Sequence, residues 1–223
     1  MIPGSFAYHR PQSIEEALSL LGEHGDEAKI LAGGQSLIPL MRFRLAEPGT
    51  LIDINRVPGL DGIQEDNGWL RIGALTRESA LDRSQVIRER FPLLADTARV
   101  IADPLVRNLA TVGGNLAHAD PANDHPATML AYRAELIARG TNGERTIPID
   151  DFFPSPFEPA LGVPSGHGSR SGGAYEKFER KVGDYAVAAA AAQITLAEGG
   201  TVAEAGLEGL RDSGGAWLGG MRD

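Results

Sequence analysis

Two glycine pairs, each followed at once by an amide side chain, constrain this chain more than any other feature. The first is Ala32-Gly33-Gly34-Gln35-Ser36-Leu37 and the second is Thr111-Val112-Gly113-Gly114-Asn115-Leu116. Glycine lets backbone N–H groups approach a ligand with no Cβ in the way. Successive N–H groups in a turn form a concave nest for an anion. Gln35, Ser36, Thr111 and Asn115 add short polar side chains beside those turns. Either pair alone reads first as a tight turn. Together, with matching amides, they favour a ligand with two phosphates, one gripped by each loop. The common nucleotide signatures are missing: no G-x-x-x-x-G-K-[ST] occurs. Gly166-His167-Gly168 opens something like a dinucleotide fingerprint. No strand pattern precedes it and no helix pattern follows, so it reads as linker.

Composition narrows the partners. The 223 residues carry a formal net charge of −9, which argues against nucleic acid, since that needs a basic face. There is no cysteine, so disulfides, thiolate zinc sites and iron–sulfur clusters are excluded within this chain. No apolar stretch approaches the ~20 residues of a membrane span. The longest uncharged run, Tyr185 to Leu196, is mostly alanine. Met1-Ile2-Pro3-Gly4 lacks the basic and apolar regions of a signal peptide, so the cytoplasm is the expected location.

Local patterns predict an alternating architecture. Pro11 to Gly25 reads as a helix capped by Ser13, with Glu16 completing a capping box and Ile14, Ala17, Leu18 and Leu21 on one face. Lys29 to Ala32 and Leu51 to Ile54 read as strands, with a short loop after Gly33-Gly34. Ile63–Glu65 and Trp69–Leu75 flank Asp66-Asn67-Gly68 as a hairpin. Arg77–Arg83 and Pro92–Ala102 read as helices. Ala134–Arg139 and Arg145–Ile149 make a second hairpin across Asn142-Gly143. Pro154 to Gly173 is rich in Pro, Gly and Ser and reads as a linker. Val187 to Gln193 reads as helix from its alanine content. The tail from Gly199 has many glycines and few large apolar residues, which predicts a marginal, mobile end.

Two polar clusters remain. His118-Ala119-Asp120-Pro121-Ala122-Asn123-Asp124-His125 invites a metal reading, but its prolines indicate a loop and no i, i+4 ligand pair is present. It reads instead as a ligand-facing or structural loop, with no metal expected. Arg180-Lys181-Val182-Gly183-Asp184-Tyr185 reads either as a solvated turn or as part of an anion site. In the second reading Lys177 or Lys181 meets the anion and Tyr185 stacks on a ring. No nucleophile has an evident base beside it, so no catalytic residue is assigned.

Ala32 to Leu37, Thr111 to Asp124 and Tyr175 to Ala186 resemble the flavoprotein subunits of carbon monoxide dehydrogenase and related molybdenum hydroxylases, including the flavin module of xanthine dehydrogenase. The likeness runs in order from about Phe6 to about Leu196, with a gap near residue 162. It implies an α+β fold: a two-lobed FAD-binding domain of the PCMH type, then a small, incomplete α+β C-terminal domain. Lobe one would be residues 1–55, lobe two 56–161, the linker 162–173 and the C-terminal domain 174–223.

The resemblance also implies a site. Ala32, Gly33, Gly34, Gln35, Ser36 and Leu37, with Thr111, Gly113, Gly114 and Asn115, would hold the FAD pyrophosphate and ribityl region. Asp124 would accept hydrogen bonds from FAD hydroxyls. Ile101, Ala102 and Leu161 would line the cofactor, Lys177 would reach the isoalloxazine edge, and Tyr185 would cover its face. The implied partners are a molybdopterin-binding large subunit, a [2Fe–2S] small subunit, and an electron acceptor, either quinone or NAD. In this family a charged strand segment usually follows the position of Leu161; here Gly162 to Gly168 is a shorter, glycine-rich run. The resemblance also implies a strand at Val187 to Gln193, in conflict with the helix that its alanine content suggests. A stand-alone flavin oxidoreductase and a non-catalytic nucleotide-binding protein are the competing readings.

Overall fold

In the first fifty-odd residues, short apolar runs alternate with amphipathic helix to build a parallel sheet. The computed structural model describes residues 2–66, 68–140 and 143–153, and the backbone of the strands at 171–179, 186–196 and 202–211. Strand β1 (Ala7–His9) leads through helix α1 (Ile14–His24) to β2 (Ala28–Leu31). The glycine loop and helix α2 (Leu37–Arg42) then return the chain to β3 (Thr50–Asp53). The sheet order is β1-β3-β2, and β3 pairs in parallel with both neighbours. Ser13 caps α1 by accepting from the Glu16 N–H at 3.1 Å, and Glu16 Oε2 in turn accepts from the Gln12 N–H at 2.7 Å. Ala17, Ala28 and Ile52 form a small buried cluster, with Leu20, Leu21 and Ile54 packed on it.

The larger core belongs to the next hundred residues. The hairpin β4 (Ile63–Asp66) and β5 (Trp69–Ile72) is followed by α3 (Glu78–Arg83), α4 (Gln85–Arg90), α5 (Pro92–Val100) and α6 (Pro104–Arg107). Then come α7 (Val112–His118), α8 (Asp124–Ala131) and the hairpin β6 (Glu135–Gly140) and β7 (Gly143–Pro148). Leu81, Ile87, Leu93, Leu94, Leu116, Leu136, Ile149 and Phe152 are all but fully buried in one cluster. Each such side chain contributes about 1.5–3 kcal/mol by leaving water, so this cluster dominates the stability of the described chain.

The last described elements are β8 (Ser171–Glu179), β9 (Ala186–Leu196) and β10 (Val202–Arg211), in an antiparallel sheet of order β10-β9-β8. This sheet lies against α5 and α8. Three expectations change here. The alanine run is the central strand β9, as the resemblance implies, and not the helix that its composition suggests. Helix propensity is a weak prior, and β9 has a backbone partner on each side. The glycine-bearing tail includes strand β10, paired in register with β9 from Glu204 to Arg211, with a shift between Val202 and Glu204. Strand β8 begins at Ser171, inside the stretch read as linker; the rest of that stretch lies outside the described residues.

Helices α2, α4, α6, α7 and α8 and strand β1 were not evident in the sequence. Three of these helices contain a proline that reads as a breaker. Pro39, Pro104 and Pro126 all sit within the first three residues of their helices. There a missing N–H removes no intrahelical bond. No helix among the described residues is long and apolar enough to cross a membrane.

Candidate functional site between two glycine loops

The first glycine loop starts where the parallel sheet ends. Such carboxyl edges are where open α/β sheets place their ligands. Gly34 has φ +72°, a left-handed conformation that a side chain disfavours. Among the described residues, the N–H groups of Gly33, Gly34, Gln35 and Ser36 meet no protein acceptor. The Gln35 side chain turns back on its own loop, donating to the Gly33 carbonyl at 3.2 Å. Ser36 makes no side-chain capping bond, and Leu37 is the first residue of α2. The loop is half-buried and presents a row of unused donors.

The second loop differs. Thr111 is the N-cap of α7, and its hydroxyl accepts from the Gly114 N–H at 3.2 Å. The Val112 N–H donates to the Thr76 carbonyl at 3.0 Å, Gly113 N–H to the Ala74 carbonyl at 2.9 Å, and Asn115 N–H to the Thr111 carbonyl at 2.9 Å. All four donors are therefore spent inside the protein, and the expected backbone nest does not form at this loop. Gly113 is needed for a different reason: a Cβ there would lie 2.7 Å from Ala74 Cβ and 2.9 Å from Ala74 Cα. What the second loop does offer is an acceptor. Asn115 Oδ1 is buried and, among the described residues, has no hydrogen-bond partner. Asn123 Nδ2 holds the Asn115 carbonyl at 3.0 Å, which brings Asn115 beside the start of α8 and buried Asp124.

The two loops touch. A Cβ on Gly33 would run into the Leu109 carbonyl and lie 2.9 Å from Ala110 Cα. Asn55, just past β3, donates to the Ala32 carbonyl at 2.7 Å and accepts from Arg77 Nη2 at 2.6 Å. Arg77 Nη1 donates to the Leu109 carbonyl. Asp53 takes both the N–H and the side-chain amide of Asn55, at 2.9 and 2.7 Å, and the Tyr8 hydroxyl as well. Partial burial works to raise the Asp53 pKa, but the bonds from Tyr8 and Asn55 outweigh it and hold the carboxyl below its ordinary value. The bond to Asp53 raises the Tyr8 phenol. A cavity of about 430 Å³ shares Asn55 and Arg77 with this network.

Ile101 and Ala102 form a turn after α5, with Ala102 at φ +45°. Arg107 Nη1 clamps that turn by donating to their carbonyls at 2.9 and 3.0 Å. Leu161 and Tyr185 lie outside the described residues, and Lys177 is described only as a backbone position of β8, opposite Ala189. Of the polar run at 118–125, His125 turns into the core, where its Nε2 meets Glu78 Oε2 at 2.8 Å with both side chains fully buried. Burial works to lower the His125 pKa, but the Glu78 carboxylate more than offsets it and the net shift is upward. His118 Nε2 is 3.9 Å from Asp120 Oδ2. Asn55, Arg77 and Arg107 were missed in the sequence, and Asn123 was read only as part of the polar run at 118–125. Of the three, Asn55 alone had a signal: it directly follows a strand at the carboxyl edge of the sheet.

Residues 4–163 match the family profile described as FAD binding domain in molybdopterin dehydrogenase. The chain is 48% identical over 200 residues to the carbon monoxide dehydrogenase medium chain of Hydrogenophaga pseudoflava, covering 86% of this chain and 69% of that one. It is 44% identical over 215 residues to 6-hydroxypseudooxynicotine dehydrogenase complex subunit alpha of Paenarthrobacter nicotinovorans, covering 92% and 72%. A solved carbon monoxide dehydrogenase from Hydrogenophaga pseudoflava superposes with a TM-score of 0.89 at 45% identity, covering 94% of this chain and 76% of that chain.

Proposed function

We propose, from the premise that this chain belongs to the FAD-binding domain family of the molybdopterin dehydrogenases, that it is the electron-transferring flavin subunit of a molybdenum hydroxylase complex of the carbon monoxide dehydrogenase type. FAD is the cofactor of this family, and the chain is an oxidoreductase subunit. In the proposed complex, a molybdopterin-binding large subunit oxidises the substrate. A [2Fe–2S] small subunit delivers the electrons, and quinone or NAD receives them. The absence of cysteine fits a cluster held on another polypeptide. When bound, FAD supplies the capacity to take electrons singly and release them in pairs.

The observation that carries this reading is the pairing of unused donors with an unused acceptor. The four N–H groups of Gly33 to Ser36 suit a pyrophosphate, and Asn115 Oδ1 suits a hydroxyl of the ribityl or ribose chain. Asp124 and the turn at Ile101-Ala102 complete the proposed wall, with Leu161, Lys177 and Tyr185 as further members. These residues bind and orient; none is assigned to bond making. The test is a titration of ligand-stripped protein with FAD, followed by acid denaturation. One FAD per chain, released into the supernatant on denaturation, is expected. A folded protein that ignores FAD refutes the reading.

A further inference from the structure

We infer that Arg77 and Asn55 form an interlobe clasp that positions the pyrophosphate loop, so that affinity for the ADP half of the cofactor depends on two side chains that do not belong to either glycine motif. This rests on the reading that FAD sits between the loops. The clasp is a closed ring. Asn55 Nδ2 holds the Ala32 carbonyl at 2.7 Å, and Asn55 Oδ1 holds Arg77 Nη2 at 2.6 Å. Arg77 Nη1 holds the Leu109 carbonyl, and Leu109 presses on Gly33, the residue after Ala32.

Every link joins a different piece of chain: the end of β2, the end of β3, the start of α3, and the segment before α7. Asn55 is itself fixed through Asp53, which Tyr8 anchors from β1. Arg77 is further pinned by its backbone bridge to Thr111. The apolar cluster beside the first loop is small, with Ala17, Ala28 and Ile52 buried and Leu20, Leu21 and Ile54 packed on it, so polar links add to packing there. A planar guanidinium has the geometry for this task, because its fork bonds two acceptors at a fixed separation. It also places a positive charge beside a row of N–H donors in a chain of net charge −9. The clasp therefore sets the gap between the donors of Gly33–Ser36 and the acceptor on Asn115.

The test is calorimetric titration of the full, ligand-stripped chain with FAD and separately with ADP, beside the thermal midpoint of each ligand-free protein. Arg77→Met removes the charge and both bonds. Asn55→Ala removes the donor to Ala32 and the acceptor for Arg77 without setting a second carboxylate beside Asp53. Each variant is expected to weaken FAD and ADP by a similar factor, about 10- to 100-fold for charge-assisted bonds. Arg77→Lys is expected to fall between wild type and Arg77→Met. The ligand-free variants should lose some midpoint, because the clasp bonds exist without ligand, yet titrated well below that midpoint the folded variants should still bind FAD and ADP more weakly, which a purely structural role would not produce. Wild-type affinity in Asn55→Ala or Arg77→Met overturns the clasp, as does a loss of FAD binding with ADP untouched, or a loss that only follows a lower midpoint. A wild-type chain that takes up neither FAD nor ADP overturns the functional reading and the clasp with it.

Discussion

Replacing Glu78 with leucine isolates the buried pair that joins α3 to α8. Glu78 and His125 are both 0% exposed and meet at 2.8 Å. Glu78 Oε1 and His125 Nδ1 have no partner among the described residues, so the one shared bond carries the whole satisfaction of the pair. Leucine leaves the imidazole buried with neither nitrogen bonded, and removing one member of such a pair costs about 3–5 kcal/mol. Adding His125→Leu removes the stranded group. The double variant should then recover to within about 1–2 kcal/mol of wild type, since apolar replacement of a buried pair is often neutral. Urea unfolding at pH 6 measures all three proteins. The pH dependence gives an independent check. His125 has a folded pKa raised above its ordinary 6.5. Its contribution is fully present below pH 6.5 and is lost as pH rises through the raised folded value, at up to about 1.4 kcal/mol per pH unit. The double variant should lack that slope. A Glu78→Leu protein within about 1 kcal/mol of wild type, or a double variant as damaged as the single, refutes the reasoning.

Gly33→Ala forces a Cβ into the Leu109 carbonyl. It should open the seam between the glycine loops and weaken FAD binding more than it lowers the urea midpoint, read by titration and unfolding on the same sample. Gly114→Val places its Cβ 2.6 Å from Thr111 Oγ1, the capping oxygen of α7. It should lose about 1 kcal/mol of cap stability along with FAD affinity, so an effect on binding alone would contradict the capping role. Tyr8→Phe removes a bond that helps hold the Asp53 pKa down. Stability from a depressed carboxyl is present above its unfolded pKa and lost as pH falls through the folded one. Acid unfolding should therefore begin at higher pH in Tyr8→Phe, and an unchanged acid midpoint by circular dichroism would show that Tyr8 does not bear on Asp53.

The elements with strong local signals were legible in the sequence. Helix α1 carries its Ser13 cap, with Glu16 reaching back to the Gln12 N–H, and both hairpins carry turn residues suited to positive φ, with Gly68 at φ +86° and Gly143 at φ +105°. Helices α2, α6 and α8 were hidden because each begins with a proline in its first turn, which a linear reading takes as an interruption. Strand β9 was hidden by the helix preference of alanine, which yields when both strand edges find partners. Both glycine loops could be read as special. Their division could not, because it depends on what lies across from them. Ala74 and Thr76 are far from Gly113 in sequence, yet they take the donors that a nest would need.

That division changes how the site works. A glycine pair can expose donors or allow backbones to meet; here the first pair does both, because Gly33 also meets the Leu109 backbone, and the second does only the latter. Gly113 lets α7 begin against Ala74, and the bonds from Val112 and Gly113 then lock the start of α7 to the chain leaving β5. This rigid corner presents Asn115 Oδ1 and, through Asn123, the start of α8. Gly33 and Gly34 sit instead where the parallel ladder of β2 runs out, so their N–H groups have no strand left to bond. Among the described residues, free donors thus lie on the first loop and the unpaired amide oxygen on the second. A ligand with an anionic centre and hydroxyl-bearing arms satisfies both at once, whereas a bare anion satisfies only the first. The spacing between the two sets is then as important as either set, and that spacing runs through Asn55 and Arg77.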